Sequence, residues 1–343
     1  MRIFVTGGAG FIGSNFVRHA LAQGADIAVT NFDKLTYAGN LASLSDVVDS
    51  PRYRFIHGDL VDAALLDKVL PGHDAIVNFA AETHVDRSIT GSNDFISANV
   101  LGANTLFAAA MRAGVPRVLH ISTDETYGSV EEPDSFVEGD ALEPNSPYSA
   151  SKASADLLAR AYGVTYDYPI TVTRTANNFG PYHYPEKVIP LFVTNLIDSL
   201  PVPLYGDGRN VRDWTYVLDN VAAQWLVLTE GTPGEVYNVG AGNELSNREL
   251  TLAILEHFGL GEEMIRHVAD RPGHDLRYSV DAAKVRQLGW KPEHGFDDAL
   301  SATVAWYRSR EDWWRPLKAA GASQRQGLVT APDPESRPDP EQP

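Results

Sequence analysis

The stretch Ser122-Thr123-Asp124-Glu125 and the downstream Tyr148-Ser-Ala-Ser-Lys152 offer two kinds of chemistry to one substrate. Tyr148 and Lys152 are spaced i, i+4, so on a helix they share one face, a turn apart. A phenol with an ordinary pKa of about 10 is a poor base at neutral pH. A neighbouring ammonium and a positively charged nicotinamide ring would favour its phenolate. Tyr148 would then take a proton from a substrate hydroxyl as hydride leaves the same carbon, with Thr123 hydrogen-bonded to that oxygen. Asp124 and Glu125 are adjacent carboxyls, and two such groups pushed apart in pKa give one acid and one base. A site holding all five can oxidise, eliminate water and reduce without releasing its cofactor.

The elements that must position these groups read as α/β. Short apolar strands are expected over Arg2–Thr6, 26–32, 54–57, 75–79, 118–121 and 170–174. Helices are expected between them over Phe11–Ala22, Ala63–Val69, 94–113 and 147–162. This alternation predicts a doubly wound, Rossmann-type parallel sheet with helices on both faces. Gly7-Gly8-Ala9-Gly10-Phe11-Ile12-Gly13 sits at the turn from the first strand into the first helix. Glycines let the backbone approach a pyrophosphate, and the helix N-terminus supplies free N–H donors. Asp33, about 20 residues past Gly13, can accept from ribose hydroxyls and repel a 2′-phosphate, which favours NAD over NADP. Asp59-Leu60, after the third strand, can flank the adenine.

Past Arg174 the pattern loosens. Residues 177–184 read as a polar loop, 190–199 as a helix, 202–205 as extended, 217–230 as a helix and 235–239 as a strand able to rejoin the main sheet. Ser246 can cap a helix running to Phe258. The expected division is a cofactor-binding unit of residues 1–176 and about 217–240. A smaller interleaved α/β substrate-binding unit takes about 177–216 and 241–328. The Pro-rich, charged end, 329–343, is expected to be disordered.

The bulk numbers narrow the function. A formal net charge of −17 speaks against nucleic acid and anionic membrane surfaces. No apolar run reaches the roughly 18 residues of a membrane span. The absence of cysteine excludes disulfides, thiolate metal sites and a Cys nucleophile. The ten histidines lack metal-ligand spacing, so no metal is expected. Met1-Arg2 runs straight into a strand without room for a signal peptide, and a soluble cytoplasmic protein is expected.

Over nearly all of residues 1–318 the chain resembles the extended short-chain dehydrogenase/reductase family, and within it the dTDP-glucose 4,6-dehydratases. The likeness is carried by Val5-Thr-Gly-Gly-Ala-Gly-Phe-Ile-Gly-Ser14, Asp33-Lys-Leu-Thr-Tyr-Ala-Gly-Asn40, Ala80-Ala-Glu-Thr-His-Val-Asp-Arg-Ser88, Ser122-Thr-Asp-Glu125, Tyr148-Ser-Ala-Ser-Lys152, Asn177-Asn178, Gly180-Pro-Tyr182, Pro185-Glu-Lys187, Tyr205-Gly-Asp-Gly208, Arg212-Asp-Trp214 and Arg271-Pro-Gly-His-Asp275. Asp124 beside Glu125 discriminates within the family. Epimerases usually carry small neutral residues at these positions, and GDP-mannose dehydratases and UDP-glucuronate decarboxylases usually have Ser for the Asp.

The resemblance implies conversion of dTDP-glucose to dTDP-4-keto-6-deoxyglucose by C4 oxidation, C5/C6 loss of water and C6 reduction, with NAD regenerated and the protein a homodimer. It implies NAD contacts from Gly7, Gly10, Phe11, Ile12, Gly13, Asp33, Lys34, Thr36, Asp59, Leu60, Ala80, Ala81, Tyr148, Lys152 and Asn178. It implies nucleotide-sugar contacts from Thr83, Thr123, Asp124, Glu125, Asn177, Lys187, Val188, Pro203, Tyr205, Arg212, Asn247, Arg271 and His274. The arginines suit a diphosphate because a guanidinium can donate two parallel hydrogen bonds. Thr126, Ala98 and Phe179 depart from the usual family residues without removing a reacting group. Another epimerase, decarboxylase or dehydratase acting on a UDP- or GDP-sugar is the alternative reading. A non-catalytic NAD-binding subunit is opposed by the intact Tyr148/Lys152 pair.

Overall fold

The computed structural model describes residues 1–328, with side chains through residue 320; the end expected to be disordered lies outside the described residues. Twelve strands follow one another along these residues: β1 (Arg2–Thr6), β2 (Ala28–Asp33), β3 (Tyr53–His57), β4 (Ala75–Asn78), β5 (Val118–Thr123), β6 (Thr171–Thr175), β7 (Asn177–Phe179), β8 (Val202–Tyr205), β9 (Val211–Tyr216), β10 (Val236–Val239), β11 (Glu244–Ser246) and β12 (Ile265–Val268).

Seven strands form a parallel sheet in the order β10-β6-β5-β4-β1-β2-β3. The order reverses between β1 and β4, which is where a doubly wound sheet opens a crevice at its carboxyl edge. β4 is buried at every position, Ala75-Ile-Val-Asn78, as a central parallel strand covered on both faces must be. Alternate side chains divide the core. Ile3 and Val5 pack with Phe16, Val17, Val221 and Val227 on one face. Phe4 and Ile76 pack with Leu66, Leu106, Phe107 and Ala159 on the other.

Local signals explain several element ends. Ser146 caps the helix Pro147–Tyr166 through a reciprocal capping box with Ser149, Pro147 opens it, and Asp167 ends it in the left-handed conformation. Ser246 and Glu249 cap the helix Asn247–Glu256 in the same way. The helix expected over 94–113 is not uniform: Ile96–Gly102 is a π-helical stretch leading into Ala103–Ala113. Such local widening commonly occurs at functional sites.

The second half differs more from expectation. Residues 177–179, read as loop, form β7, which pairs with β9 in a three-stranded sheet with β11. β8 and β12 make a separate parallel pair. These pieces enclose a third core of Phe179, Phe192, Trp214, Leu250, Tyr307, Trp313 and Trp314. Trp314 is fully buried, so the tryptophan pair is packing, not surface. Ala282, Val285 and Trp290, expected within the smaller unit, pack instead against the cofactor-side core. Among the described residues no helix is long and apolar enough to cross a membrane.

Candidate active site

A cleft of about 340 Å³ runs along the carboxyl edge of the main sheet, from the glycine turn to the second sheet. The turn is built for close approach. Gly7 has φ +67°, and a Cβ there would stand 2.6 Å from the Ala80 backbone nitrogen. A Cβ on Gly13 would overlap the Gly7 carbonyl. The helix Phe11–Ala22 begins there with no side-chain cap, leaving its first N–H groups for a ligand. Asp33 ends β2 and takes N–H bonds from Ala9 (2.9 Å) and Leu35 (2.8 Å), which fix its carboxylate at the rim. Lys34 pairs with Asp59 at 2.6 Å. The bare helix end, the glycine cradle and the ribose-side acid fit a dinucleotide lacking a 2′-phosphate.

All residues expected to hold the cofactor line this cleft, as do Thr83, Thr123, Asp124, Glu125, Asn177, Lys187 and Val188. Thr123 is the last residue of β5, and Asp124–Thr126 form a single tight turn capped by the Thr123 hydroxyl, which accepts from the Glu125 N–H. Strand end and turn therefore aim both acids at the space above Tyr148. Buried acceptors Asp124 Oδ2, Glu125 Oε2, Asn177 Oδ1 and Asn178 Oδ1 have no protein partner. Unpaired buried oxygens are costly, and a polyhydroxylated ligand supplies the donors they need.

Electrostatics separate the two acids. Burial and the neighbouring Glu125 push Asp124 up to about 8, against weaker relief from Arg212 and the Thr123 hydroxyl. Burial also raises Glu125, but Arg271, Arg212 and Lys187 all favour its charged form. Asp124 is thus the proton holder and Glu125 the better base at neutral pH.

Tyr148 behaves differently from expectation. Burial and the charges of Glu125 and Asp124 push its phenol above the ordinary range; only the Thr123 hydroxyl opposes them. Lys152 does not act on the phenol directly. Its ammonium donates to the Ile121 carbonyl at 2.7 Å, beneath the sheet edge.

The structure does not bring Pro203, Tyr205, Arg212, Asn247, Arg271 and His274 into the cleft wall. Two of them, Tyr205 and Arg271, meet a short helix, Val85–Thr90. Asp86 on that helix accepts from the Tyr205 hydroxyl (3.2 Å) and pairs with Arg271 at 3.5 Å. His274 pairs with Asp270 at 2.7 Å. Arg212 stacks on Tyr278 and donates to the backbone carbonyls of Val211 (2.6 Å) and Asp275 (2.9 Å). The two-pronged grip expected of Arg212 on a diphosphate is therefore taken up by its own backbone surroundings here.

Several lining residues were not singled out from sequence. Tyr37 lies under the Arg87 guanidinium at 3.8 Å, and Arg87 pairs with Glu186 at 2.8 Å, joining the ribose side to the sugar side. His183, stacked on Phe11 at 4.1 Å, and Trp214 each keep an unpartnered ring nitrogen. All but Arg87 line the cleft, and all sit inside or beside the motif stretches, the only signal that could have found them.

The family model described as GDP-mannose 4,6 dehydratase matches residues 4–303. A dTDP-glucose 4,6-dehydratase of Streptomyces niveus is 52% identical over 324 residues, covering 93% of this chain and 96% of that protein. One of Escherichia coli is 45% identical, covering 96% of this chain and 100% of that one. The solved DesIV dTDP-glucose 4,6-dehydratase of Streptomyces venezuelae, with NAD and dTDP bound, is 55% identical, with a TM-score of 0.90 over 92% of this chain and 100% of that chain. A UDP-glucose 4-epimerase of Thermus thermophilus, solved with NAD, reaches a TM-score of 0.83 at 31% identity, over 90% of this chain and 100% of that one. The likeness thus runs along almost the whole chain, which belongs to the dTDP-glucose 4,6-dehydratases of the extended short-chain dehydrogenase/reductase family.

Proposed function

We propose that the protein converts dTDP-glucose to dTDP-4-keto-6-deoxyglucose, a lyase reaction with NAD as resident cofactor. The observation that carries this reading is the convergence of Tyr148, Asp124 and Glu125 on one cleft that begins at a dinucleotide turn. Bound NAD supplies a hydride acceptor for C4 and a hydride donor for C6. We assign the remaining work to side chains. Tyr148, beside the Thr123 hydroxyl, takes the C4 hydroxyl proton as a phenolate, the form that the positive ring of bound NAD would favour against burial and the two carboxyls. The resulting ketone acidifies C5–H, and Glu125 removes that proton. Asp124 gives its proton to the departing C6 hydroxyl, so water leaves, and a proton returns to C5 as C6 gains the hydride. Gly7, Gly10 and Gly13 cradle the pyrophosphate, Asp33 holds the ribose and Lys152 fixes the nicotinamide side. Asn177 and Lys187 meet the nucleotide sugar from the cleft wall, and we assign its far end to Arg212, Asn247, Arg271 and His274, which stand outside that wall until a ligand draws them in. An epimerase needs no acid for a leaving hydroxyl, and Asp124 sets this chain apart from that chemistry.

Incubation with a mixed pool of dTDP-, UDP- and GDP-glucose tests the assignment. The expected product is a 4-keto-6-deoxy sugar on the dTDP carrier, seen by mass and by alkali-induced absorbance. No product at any NAD concentration overturns it.

The cofactor unit comprises residues 1–176 and about 217–240 on this reading, joined by the stretch around Ala282, Val285 and Trp290, and the nucleotide-sugar unit takes the rest of about 177–216 and 241–328. NAD and nucleotide sugars are cytoplasmic metabolites, and we place the enzyme with them. We also infer a homodimer formed through the helical stretch 94–113 and the helix Pro147–Tyr166. Leu101 is 52% exposed, Leu157 58% and Val164 73%, an apolar outer face that favours self-association. Sedimentation of the parent is expected to give twice the chain mass, and Leu157→Glu to give monomer. A monomeric parent sinks the inference.

A further inference from the structure

The helix Pro147–Tyr166 carries a third charged residue in register with the reacting pair: Tyr148, Lys152 and Asp156 follow one another at i, i+4 and i+8 on one face. An acid on a helix is ordinarily solvated. Asp156 is instead 4% exposed and sits against the middle of the main sheet. Its Oδ2 accepts from Arg174 Nε at 2.8 Å. Arg174, on β6, is itself fixed by Tyr127, whose hydroxyl receives its Nη1 at 2.7 Å and donates to Asn238 at 2.8 Å. The other carboxylate oxygen, Oδ1, is buried without a hydrogen bond.

The groups facing Lys152 can be enumerated. From β5 come the Ile121 carbonyl, which takes the ammonium, and His120. His120 accepts from Asn78 Nδ2 at Nδ1 (2.9 Å), and burial holds it neutral, so it lends Lys152 no charge. Its Nε2 stands 3.9 Å from Asp156 Oδ1. Arg174, on β6, directs its guanidinium to Asp156 and Tyr127. Asp124 and Glu125 act on Tyr148 and not on Lys152. Burial raises the Asp156 carboxyl, but Arg174 and, less strongly, Lys152 favour its charged form, and among the described residues it is the charge that acts on the ammonium.

We propose that Asp156 is a positioning residue for Lys152, a buried carboxylate shared with Arg174 that keeps the lysine in its charged form below the cleft. Isolated buried ions are strongly disfavoured, and an anion one helical turn away offsets that penalty. The electrostatics agree. Burial brings Lys152 down to about 8, and Asp156 is the charge that opposes the fall. The role extends the assigned chemistry, because Lys152 supports the cofactor side only while cationic. It rests on that assignment, yet its test reads the lysine directly and requires no turnover.

The chain has seven lysines, so the full-length protein labelled with 13C at lysine Cε gives a spectrum simple enough to titrate. Asp156→Asn alone leaves Arg174 unbalanced and risks misfolding, so the double variant Asp156→Asn with Arg174→Gln, which keeps amide hydrogen bonds, is compared alongside. Both variants are expected to titrate Lys152 at least one pH unit lower than the parent. The pH at which NAD affinity collapses should fall by the same amount. The double variant should melt close to the parent. A Lys152 titration unchanged in the folded double variant reduces Asp156 to a structural partner of Arg174 and overturns the proposal. Loss of dTDP-glucose turnover with an unshifted titration counts the same way. A shifted titration in a protein that never dehydrates dTDP-glucose upholds it while refuting the reaction.

Discussion

Replacing Glu125 with Gln is expected to abolish exchange of the C5 hydrogen with deuterated water while leaving partial reduction of bound NAD. The side chain keeps its size, so the cleft keeps its shape. What disappears is basicity at one atom, the buried and unpartnered Oε2. Burial raises Glu125, but Arg271, Arg212 and Lys187 favour its charged form, and an amide cannot replace it. Losing a positioned base costs about 10²–10⁴-fold in turnover. Oxidation at C4 precedes loss of the C5 proton and depends on Tyr148 and Thr123, so the reduced nicotinamide should still accumulate after substrate is added. The pair of readouts separates the steps: normal exchange in the variant removes Glu125 from the base role, and failure of both shows that the substitution disturbs binding.

The first half of this protein was legible because its signals are local. Phe11–Ala22, Ala63–Val69 and Val217–Glu230 end where their apolar periodicity and flanking residues say they should. Strands of the main sheet fall within two residues of expectation, and every residue expected to touch the cofactor lines the cleft. The second sheet was illegible for a physical reason. β9 reads Val-Arg-Asp-Trp-Thr-Tyr, with two charges that look solvated. Both are buried, because Asp213 accepts from the Gly242 and Asn243 N–H groups and Arg212 stacks on Tyr278. Partners that distant in sequence leave no local trace. The same holds for Asp156, an unremarkable helix acid until β6 places Arg174 against it. Tyr148 shows the converse limit: the i, i+4 spacing correctly put Lys152 below it, but burial and two nearby carboxyls, invisible in a spacing rule, decide its protonation.

Asp124→Asn is expected to lower turnover about 10²–10⁴-fold and, at the same time, to raise the melting temperature near neutral pH. Both effects come from one proton. The acid form of Asp124 is retained up to about 8, so the parent's rate should fall as pH rises through that value and the donor empties. The variant has no donor, and that limb should vanish from its residual rate. Folding stability follows the same titration. The folded-state pKa lies above that of an unfolded aspartate, so between about 4 and about 8 the folded chain binds a proton that the unfolded chain releases. Stability contributed by this group is therefore complete at low pH and lost progressively as pH rises across that window. Asparagine, neutral at every pH, has nothing to release, so the variant's advantage should grow from about pH 4 and level off above about 8. Calorimetric scans of parent and variant at pH 5 and pH 8 measure it. A melting difference independent of pH would mean that Asp124 is ionised in the folded protein, and the leaving hydroxyl would need another proton source. Such a site holds an energetically unfavourable group because the reaction requires it, a compromise expected wherever an active site works against stability.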